Sequence, residues 1–403
     1  MLRLLLCVAS LLAQSALVGA VVVVENPDQP AQRLKTLRFE SGRPLDTDGA
    51  NCLVGYPVSF TNAGDYLLLL DRQLCAVHVF DRWGECVASF GQSGEGPGDF
   101  RVPWKLLAMD DSTVCILDHR PAAIHMYSTE GVHLGSEVIP GTGHQVVADD
   151  LAGNRGFLVA LRADVDPIRE AGRAGSRTRS HLLRVRLGSS PGPVYHAATC
   201  DFFYSDDVPV CHETEQYQIS GFACDDTSVY LAGERNDYSI TQTSVNGDVI
   251  RKITREYPSR SRRPSERDSI HTVRSVSVGG CLVMEYREAP TDPDIMDMRI
   301  AADGKLWVLP SRGALDPPPG IYQVWDVFDR NGIFCEQVQV VLDCDQAVDR
   351  VFWLSTDDIV LCRNWKPVEK AFNAGPPDGN GRDAEDLIGK PLEVVPMFGR
   401  WTD

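Results

Sequence analysis

One pattern occurs twice between residues 66 and 131, and it constrains the fold more than any other feature of the chain. It joins an aspartate, an aliphatic residue, an aromatic residue and a glycine at fixed spacing. The two copies are Asp71, Val77, Phe80 and Gly84, and then Asp118, Ile124, Tyr127 and Gly131, each residue displaced by 47 positions. A repeat of this length predicts one supersecondary unit that is copied and stacked against its neighbours.

Polar turns followed by short apolar runs recur along the rest of the chain. Asp225-Asp226 and Asp357-Asp358 each precede such a run, as do the residues before the two repeats. A second hairpin turn follows in several units, for example at residues 81–84 and 329–332. Two hairpin turns per unit imply about four antiparallel strands, which is the content of a propeller blade.

We therefore predict an all-β fold, a six-bladed β-propeller with about four antiparallel strands per blade. Long helical periodicity is nearly absent, which argues against a doubly wound α/β fold. The predicted blades cover residues 55–91, 103–139, 145–199, 218–256, 270–335 and 346–365.

The two ends of the chain are predicted to behave differently. Residues 21–39 should supply a strand that closes the ring, because an open end would leave a row of unpaired backbone groups. The propeller is then predicted to span residues 21–368. Residues 369–403 include a stretch rich in proline and glycine, so we expect them to form a flexible tail.

The N-terminus has the layout of a secretory signal peptide. Arg3 gives a short basic start, residues 4–18 are mostly apolar, and small residues end at Ala20. We expect residues 1–20 to be removed and the protein to be extracytoplasmic, either periplasmic or secreted. The alternative is an uncleaved membrane anchor through residues 4–24, a segment just long enough to span a bilayer.

The charge balance argues against nucleic acid as a partner. The chain has 56 acidic and 39 basic residues, for a formal net charge of −17, and this repels phosphate backbones and anionic lipids. Contact with a membrane is expected only if the N-terminal segment is retained. A monomer is expected, although no sequence feature fixes the oligomeric state.

Cysteine usage suggests structural roles. Without Cys7 of the leader, 11 of the 12 cysteines remain, an odd number that cannot pair completely within one chain. Cys200 with Cys211, and Cys335 with Cys344, are the candidates for disulfides in an oxidising compartment. Several others lie in apolar runs and are predicted to be interior. No C-x-x-C motif occurs, so no metal site and no cofactor are predicted.

Three motifs carry a resemblance to a known family. They are Val79-Phe80-Asp81-x2-Gly84, the linker Phe90-Gly91-x2-Gly94-x-Gly96-Pro97-Gly98-x-Phe100-x2-Pro103, and Asp118-x5-Ile124. With these motifs the chain resembles NHL-like six-bladed β-propellers, in particular exported bacterial ones that are largely uncharacterised. The resemblance implies the fold and no chemistry. The chain departs from the NHL pattern after Asp118, where His119-Arg120-Pro121 replaces the usual Asn-x-Arg.

No local motif identifies a catalytic residue. The glycine-rich linker lacks the Gly-Lys-Ser/Thr of a phosphate-binding loop, and the paired aspartates fit turn chemistry better than calcium binding. Calcium is left open without a supporting motif. One cluster of basic residues could contact an anionic partner such as a polysaccharide or a phosphate headgroup. It consists of Arg260, Arg262, Arg263 and Arg267.

Two functions are compatible with these sequence features. The first is a non-catalytic binding module whose face or central channel binds a protein, peptide or carbohydrate partner. The alternative is a metal-dependent propeller hydrolase or lyase, of the lactonase-like or peptide-amide-lyase-like kind. Both fit the predicted fold, because function lies in loop and channel residues. The absence of a strong local motif favours the binding module.

Overall fold

The computed structural model shows an all-β protein built from short antiparallel sheets. It describes residues 21–32, 34–49, 52–154, 157–170, 173–185, 192–203, 210–216, 219, 221–274, 276–278, 281–374 and 391–402. The predicted signal peptide lies outside these residues, as does most of the alternative anchor. In the part of the chain that is described, no helix is long and apolar enough to cross a bilayer.

Two N-terminal strands precede the first two four-stranded units. The N-terminal strands are β1 (Val22–Asn26) and β2 (Lys35–Ser41). The first unit contains β3 (Pro57–Ala63), β4 (Tyr66–Asp71), β5 (Ala76–Phe80) and β6 (Cys86–Phe90). The second unit contains β7 (Pro103–Ala108), β8 (Thr113–Asp118), β9 (Ala123–Ser128) and β10 (His133–Val138). In both units each strand pairs with the next one along the chain.

The third and fourth units continue this order. The third contains β11 (Gln145–Asn154), β12 (Phe157–Glu170), β13 (Arg173–Val185) and β14 (Val194–Phe203), and it is followed by β15 (Val210–His212) and α1 (Glu213–Gln216). The fourth contains β16 (Gly221–Cys224), β17 (Ser228–Ala232), β18 (Ser239–Ser244) and β19 (Val249–Arg255). Strand β1 adds to the outer edge of the fourth unit by pairing in parallel with β19.

A small insertion separates the fourth and fifth units. It contains α2 (Pro264–Arg274), β20 (Val276–Val278) and β21 (Cys281–Arg287), and its two strands form a three-stranded sheet with β15. The fifth unit contains β22 (Ile295–Ile300), β23 (Leu306–Pro310), α3 (Ser311–Leu315), β24 (Gln323–Phe328) and β25 (Phe334–Val341). The chain ends with β26 (Arg350–Trp353), β27 (Asp358–Arg363), α4 (Trp365–Ala374) and β28 (Glu393–Thr402).

The last three strands form a sixth unit together with β2. Strand β28 lies between β27 and β2, antiparallel to both. Strand β2 also pairs in parallel with β25, so the fifth and sixth units share one eight-stranded sheet. The N-terminal region thus supplies two strands to two different sheets, where the sequence predicted one.

Two further expectations need correction. Residues 391–402 are not a flexible tail, because β28 is an interior strand whose Val394, Val395 and Met397 are buried. The proline- and glycine-rich stretch before it masked the apolar pattern of this strand. The predicted fifth blade, 270–335, was also misplaced. Residues 276–287 belong to the small insertion, and the four-stranded unit begins at Ile295.

Burial follows the position of each strand within its unit. The second strands are buried along nearly their whole length, as the patterns of β4, β8, β17, β23 and β27 show. The fourth strands β6 and β10 instead alternate between half-buried and exposed residues. Continuous apolar runs therefore mark strands covered on both faces, and alternation marks outer strands.

Most neighbouring units contact each other through their first strands. Strand β3 contacts β7, β7 contacts β11, β11 contacts β16, β16 contacts β22, and β26 contacts β3. The Ser59 hydroxyl of β3 accepts a hydrogen bond from the Leu106 backbone N–H of β7 at 3.0 Å. The next contact along the same two strands joins the Thr61 hydroxyl to the Ala108 N–H at 3.1 Å.

The aspartate of the 47-residue repeat holds the segment that enters its own unit. The Asp118 carboxylate is buried and accepts hydrogen bonds from the backbone N–H groups of Arg101 and Val102, at 2.7 and 2.6 Å. Asp71 accepts them from Gly55 and Tyr56, at 2.5 and 3.3 Å. The repeated aspartate therefore forms a structural clamp, which joins the second strand of a unit to the linker that precedes the unit.

We expect Asp118→Ala to lower the free energy of unfolding by about 2–4 kcal/mol, because it leaves two backbone N–H groups without an acceptor. Urea denaturation followed by tryptophan fluorescence measures the change. Asp111→Ala, at an exposed position of the adjacent turn, is the matched control and should shift the midpoint little. Equal midpoints for the two variants would show that the clamp does not stabilise the fold.

Deletion of residues 21–41 should lower the melting temperature by more than about 10 °C. The deletion removes β2, whose Leu37 and Phe39 are buried between β25 and β28, and leaves two strand edges unpaired. Deletion of residues 21–25 is the control, because it removes most of the outer strand β1 and keeps β2. A similar melting temperature for both deletions would contradict a central role for β2.

Candidate functional site

A cavity of about 360 Å³ lies among the first strands of five units, and we name it the central pocket. Residues from β3, β7, β11, β22 and β26 form its wall, together with Arg72 and one side of α4. The residues that line it are Tyr56, Val58, Ser59, Phe60, Arg72, Trp104, Lys105, Asp149, Asp150, Arg299, Arg350, Val351, Phe352, Trp353, Trp365 and Glu369. The pocket thus combines aromatic walls with charged groups of both signs.

Arg72 is positioned by the clamp of the first unit. It follows Asp71 directly, and its backbone N–H donates to the Tyr56 carbonyl at 2.9 Å. Its guanidinium lies over the Trp104 ring, 4.5 Å from the centroid, and 5.5 Å from that of Phe372. An arginine stacked in this way keeps its hydrogen-bond donors available at the edge of the guanidinium plane.

Arg350 begins β26 and lies against a second aromatic group. Its guanidinium is 5.2 Å from the centroid of Trp365 and 5.8 Å from that of Phe352. The Trp365 indole N–H donates to the Pro57 carbonyl at 2.7 Å, which fixes the start of α4 against the first unit. Trp365 and Phe372 lie on one face of α4 because they are seven residues apart, about two helical turns.

Among the described residues, neither Arg72 nor Arg350 has a carboxylate partner. Within the described part of the chain, their guanidinium groups make no hydrogen bond and no ion pair to another side chain or backbone group. The residues that hold them are aromatic and offer no compensating negative charge. Two guanidinium groups therefore line the pocket with donors that no described residue accepts.

The acidic groups of the pocket do have partners within the chain. Asp149 lies 3.4 Å from the His119 ring, and Asp150 pairs with Lys105 at 2.9 Å. Burial raises the pKa of Asp149, and His119 acts against that shift. Glu369 accepts a hydrogen bond from the Tyr56 hydroxyl at 3.3 Å.

Tyr56 stays protonated at neutral pH. Burial, together with the charge and the hydrogen bond of Glu369, raises its pKa to about 12. Its ring stacks on Phe372 with centroids 4.7 Å apart. Tyr56 therefore serves as a neutral donor that links α4 to the first unit.

The sequence patterns did not identify the pocket residues. One sequence position could have pointed to the pocket, namely the residue directly after the repeated aspartate. It is Arg72 in the first unit and His119 in the second, and the side chains of both contact Trp104. No sequence pattern marked Arg350 and Glu369, because they reach the pocket only when the sixth unit packs against the first.

The arginine cluster predicted from the sequence lies away from the central pocket and pairs with acids of the same chain. Arg260 is buried and bonds to Asp292 and Asp316, at 2.5 and 2.6 Å. Arg262 bonds to Asp292 and Glu213. Arg263 pairs with Asp316, and Arg267 pairs with Glu288. These contacts explain the basic residues without an outside partner, and the predicted anionic contact stays a prediction.

The cysteines predicted to form disulfides lie in the third and fifth units and beside them. The Cys335 thiol donates to the Val327 carbonyl at 3.2 Å, and Cys344 packs at the border of the same apolar cluster. Cys211 is buried and Cys200 is partly exposed on β14. No observation tests the two predicted pairings. Cys115 and Cys362 are fully buried, as expected for interior cysteines.

Comparisons with known proteins give only distant matches. No protein-family model matches the chain, and no curated protein matches it significantly. Among solved structures, a protein designated as exported from Bacteroides fragilis is 13% identical, with a TM-score of 0.45, over 95% of this chain and 100% of that one. A DUF4221 family member from Bacteroides vulgatus is 9% identical, with a TM-score of 0.45, over 91% and 99%.

A third match is the glutaminyl cyclase of Myxococcus xanthus. It is 11% identical, with a TM-score of 0.26, and the match covers 68% of this chain and 92% of that one. Similarity at these levels carries no argument about activity. The function of this chain therefore has to be argued from its own residues.

We expect Glu213→Gln to destabilise the protein by roughly 2–3 kcal/mol at pH 7. Burial alone would raise the pKa of Glu213, but hydrogen bonds from Arg262, the Ala289 N–H and Arg235 lower it from 4.5 to about 2. The carboxylate therefore stabilises the fold above about pH 4.5, and this contribution disappears as the pH falls towards 2.

Urea midpoints measured from pH 7 to pH 2 test this expectation. Between pH 7 and pH 2 the urea midpoint of the variant should fall less than that of the unmodified protein. Glu256→Gln, at an exposed carboxylate next to β19, is the control and should follow the unmodified curve. A Glu213→Gln curve that runs parallel to the unmodified one would contradict the linkage.

Proposed function

We propose that the chain is an exported six-bladed β-propeller of the NHL-like kind, and that it acts as a non-catalytic binding module. Its partner is a peptide or carbohydrate that places an acidic group in the central pocket. The observation that carries the proposal is the pair Arg72 and Arg350, whose guanidinium groups rest on aromatic rings without a carboxylate partner among the described residues.

Support for the propeller comes from the order of the units. Six four-stranded antiparallel units follow one another along the described chain, with the sixth completed by β2. The first strands of the first five units contact each other in sequence, and β26 of the last unit contacts β3 of the first; the fifth and sixth units are joined by the pairing of β25 with β2. Such a circuit is the arrangement that a ring of blades requires, because each thin sheet has to bury its faces against two neighbours.

Support for ring closure by the N-terminal region comes from β2. The sixth unit takes its fourth strand from residues 35–41 and its other three from residues beyond 349. Joining the two ends of the chain in one sheet prevents the ring from opening there. Export is included in the proposal only because residues 1–20 have the layout of a signal peptide.

A binding role fits the charges of the pocket. Asp149, Asp150 and Glu369 each have a partner within the chain. Among the described residues, Arg72 and Arg350 are the pocket cations without a carboxylate partner, whereas Arg299 pairs with Asp297 and Lys105 with Asp150. An anionic group can accept several hydrogen bonds from a guanidinium in a planar, two-point geometry. A carboxylate is the acidic group shared by peptides and many carbohydrates, so it is the chemistry to test.

The alternative, a metal-dependent hydrolase or lyase, needs several ligands that converge in the channel. In the part of the chain that is described, one group of three metal-ligating side chains converges, and it lies outside the central pocket. The pocket carboxylates are drawn towards His119, Lys105 and Tyr56 instead. The geometry therefore favours the binding role.

The test is calorimetric titration of the protein with probes that differ only in charge. Oligogalacturonate is compared with its methyl ester, and an acidic peptide with its amidated form. We expect the unmodified protein to bind the acidic member of at least one pair, with weaker binding at high salt. The double variant Arg72→Met with Arg350→Met should weaken that binding at least about tenfold, as loss of charge-assisted hydrogen bonds predicts.

Arg82→Met is the matched control. Arg82 also lies on an aromatic ring, 4.8 Å from the centroid of Trp83, but it does not line the central pocket. This variant should bind the acidic probe like the unmodified protein. Equal affinity for the acidic and neutral forms, unaffected by the double variant, would contradict an acidic partner at this pocket.

A further inference from the structure

Three metal-ligating side chains converge on the outer side of the first unit. They are Cys52, just before β3, His78 in β5 and Cys86 at the start of β6. Their ligand atoms all lie within 4.8 Å of one another. Cys52 and His78 are buried, whereas Cys86 is partly exposed, so the group has a path to solvent.

A fourth polar atom belongs to the same group. The Ser89 hydroxyl is hydrogen-bonded to His78 Nδ1 at 2.8 Å and lies 3.8 Å from the Cys86 sulfur. The sulfur atoms of Cys52 and Cys86 lie within 4.8 Å of each other. Two thiols, an imidazole nitrogen and a hydroxyl thus surround one point.

The other nitrogen of His78 is arranged as it is in many metal sites. His78 Nε2 is buried without a hydrogen-bond partner and faces the Asp71 carboxylate at 4.0 Å. A ligating histidine commonly points its second ring nitrogen at a carboxylate, which fixes the ring and its tautomer. Asp71 would have this positioning role, in addition to its role in the clamp.

Comparison with the second unit shows which of these side chains recur in both units and which occur only in the first. Its His125 bonds to Ser136 at 2.8 Å, the same contact as His78 with Ser89, 47 residues later. Position 133, the equivalent of Cys86, is a histidine, and position 99, the equivalent of Cys52, is an aspartate. His125 Nε2 also faces Asp118 at 3.7 Å, as His78 Nε2 faces Asp71. The imidazole with its hydroxyl and its carboxylate is therefore a framework feature, whereas the two thiols are an addition that the framework does not need.

We propose that Cys52, His78 and Cys86 bind a zinc ion, with the Ser89 hydroxyl or a water molecule as the fourth ligand. Two thiolates and one imidazole are a donor set that zinc prefers. Ligand atoms around a tetrahedral zinc lie about 3.5–3.8 Å apart, given bond lengths of about 2.0–2.3 Å. The group needs to close by only about 1 Å. Binding replaces the two thiol protons, which pass to solvent.

The site would fasten the segment before β3 to the β5–β6 hairpin. This segment carries Gly55 and Tyr56, which the Asp71 clamp also holds. The ion would thus stabilise the wall of the central pocket from behind. The inference stands apart from the proposed function, because it uses no pocket residue as a ligand.

The experiment measures zinc in the full chain by elemental analysis after dialysis against metal-free buffer. We expect one zinc per chain in the unmodified protein and in Cys344→Ser, a control at a partly exposed cysteine outside the group. Cys86→Ser should lose the zinc. A strong chelator should lower the melting temperature of the unmodified protein and leave that of Cys86→Ser unchanged.

Cobalt replacement provides a second measurement that does not depend on how well Cys86→Ser folds. Cobalt bound by two thiolates in a tetrahedral site gives a thiolate-to-cobalt charge-transfer band and intense visible absorption. We expect both signals in the unmodified protein. A peptide map that joins Cys52 to Cys86 by a disulfide would overturn the proposal, as would two reduced thiols that bind neither zinc nor cobalt.

Discussion

The first two units depend on a buried carboxylate that holds the segment entering the unit. Asp71 and Asp118 do this at the ends of β4 and β8, where each accepts hydrogen bonds from two backbone N–H groups of the preceding linker. A thin four-stranded sheet cannot bury its own faces, so its angle to the next sheet has to be set by the linker. The clamp fixes the linker against the second strand, because the carboxylate accepts the N–H groups that the linker would otherwise leave unpaired.

Other units hold their entering segments with different residues. In the third unit Asp164, on the second strand β12, accepts hydrogen bonds from the backbone and hydroxyl of Thr142, which precedes β11. In the sixth unit the acid lies on the entering segment instead. Asp349 accepts from the N–H of Asn364, which follows the second strand β27. The position of the contact is maintained while the donor and acceptor sides exchange, which explains why the repeat is visible in only two copies.

The sequence predicted the parts of the fold that local patterns determine. The first four units were located within a few residues, because each contains hairpin turns and a buried second strand. The last two units were less accurate, since β2 and β28 pair only after residues from opposite ends of the chain meet. The ion pairs of the arginine-rich segment around Arg260 were also not predicted. The charge pattern of this segment resembles a solvated loop, and Asp292 and Asp316, with which Arg260 pairs, lie far along the chain. Long-range pairing is the information that local periodicity does not contain.

The central pocket illustrates how a repeated framework acquires a specific site. The residue after the clamp aspartate is placed at the inner end of the unit, and the clamp fixes its backbone whatever its side chain. In the first unit this residue is Arg72, and in the second it is His119, which approaches Asp149 instead. In one unit the same framework position therefore presents a cation that has no carboxylate partner in the described part of the chain, and in the next unit it presents a partner for an acid. Arg350 reaches the pocket from the sixth unit, so the site exists only when that unit packs against the first, and binding of an acidic group between Arg72 and Arg350 would also stabilise that contact.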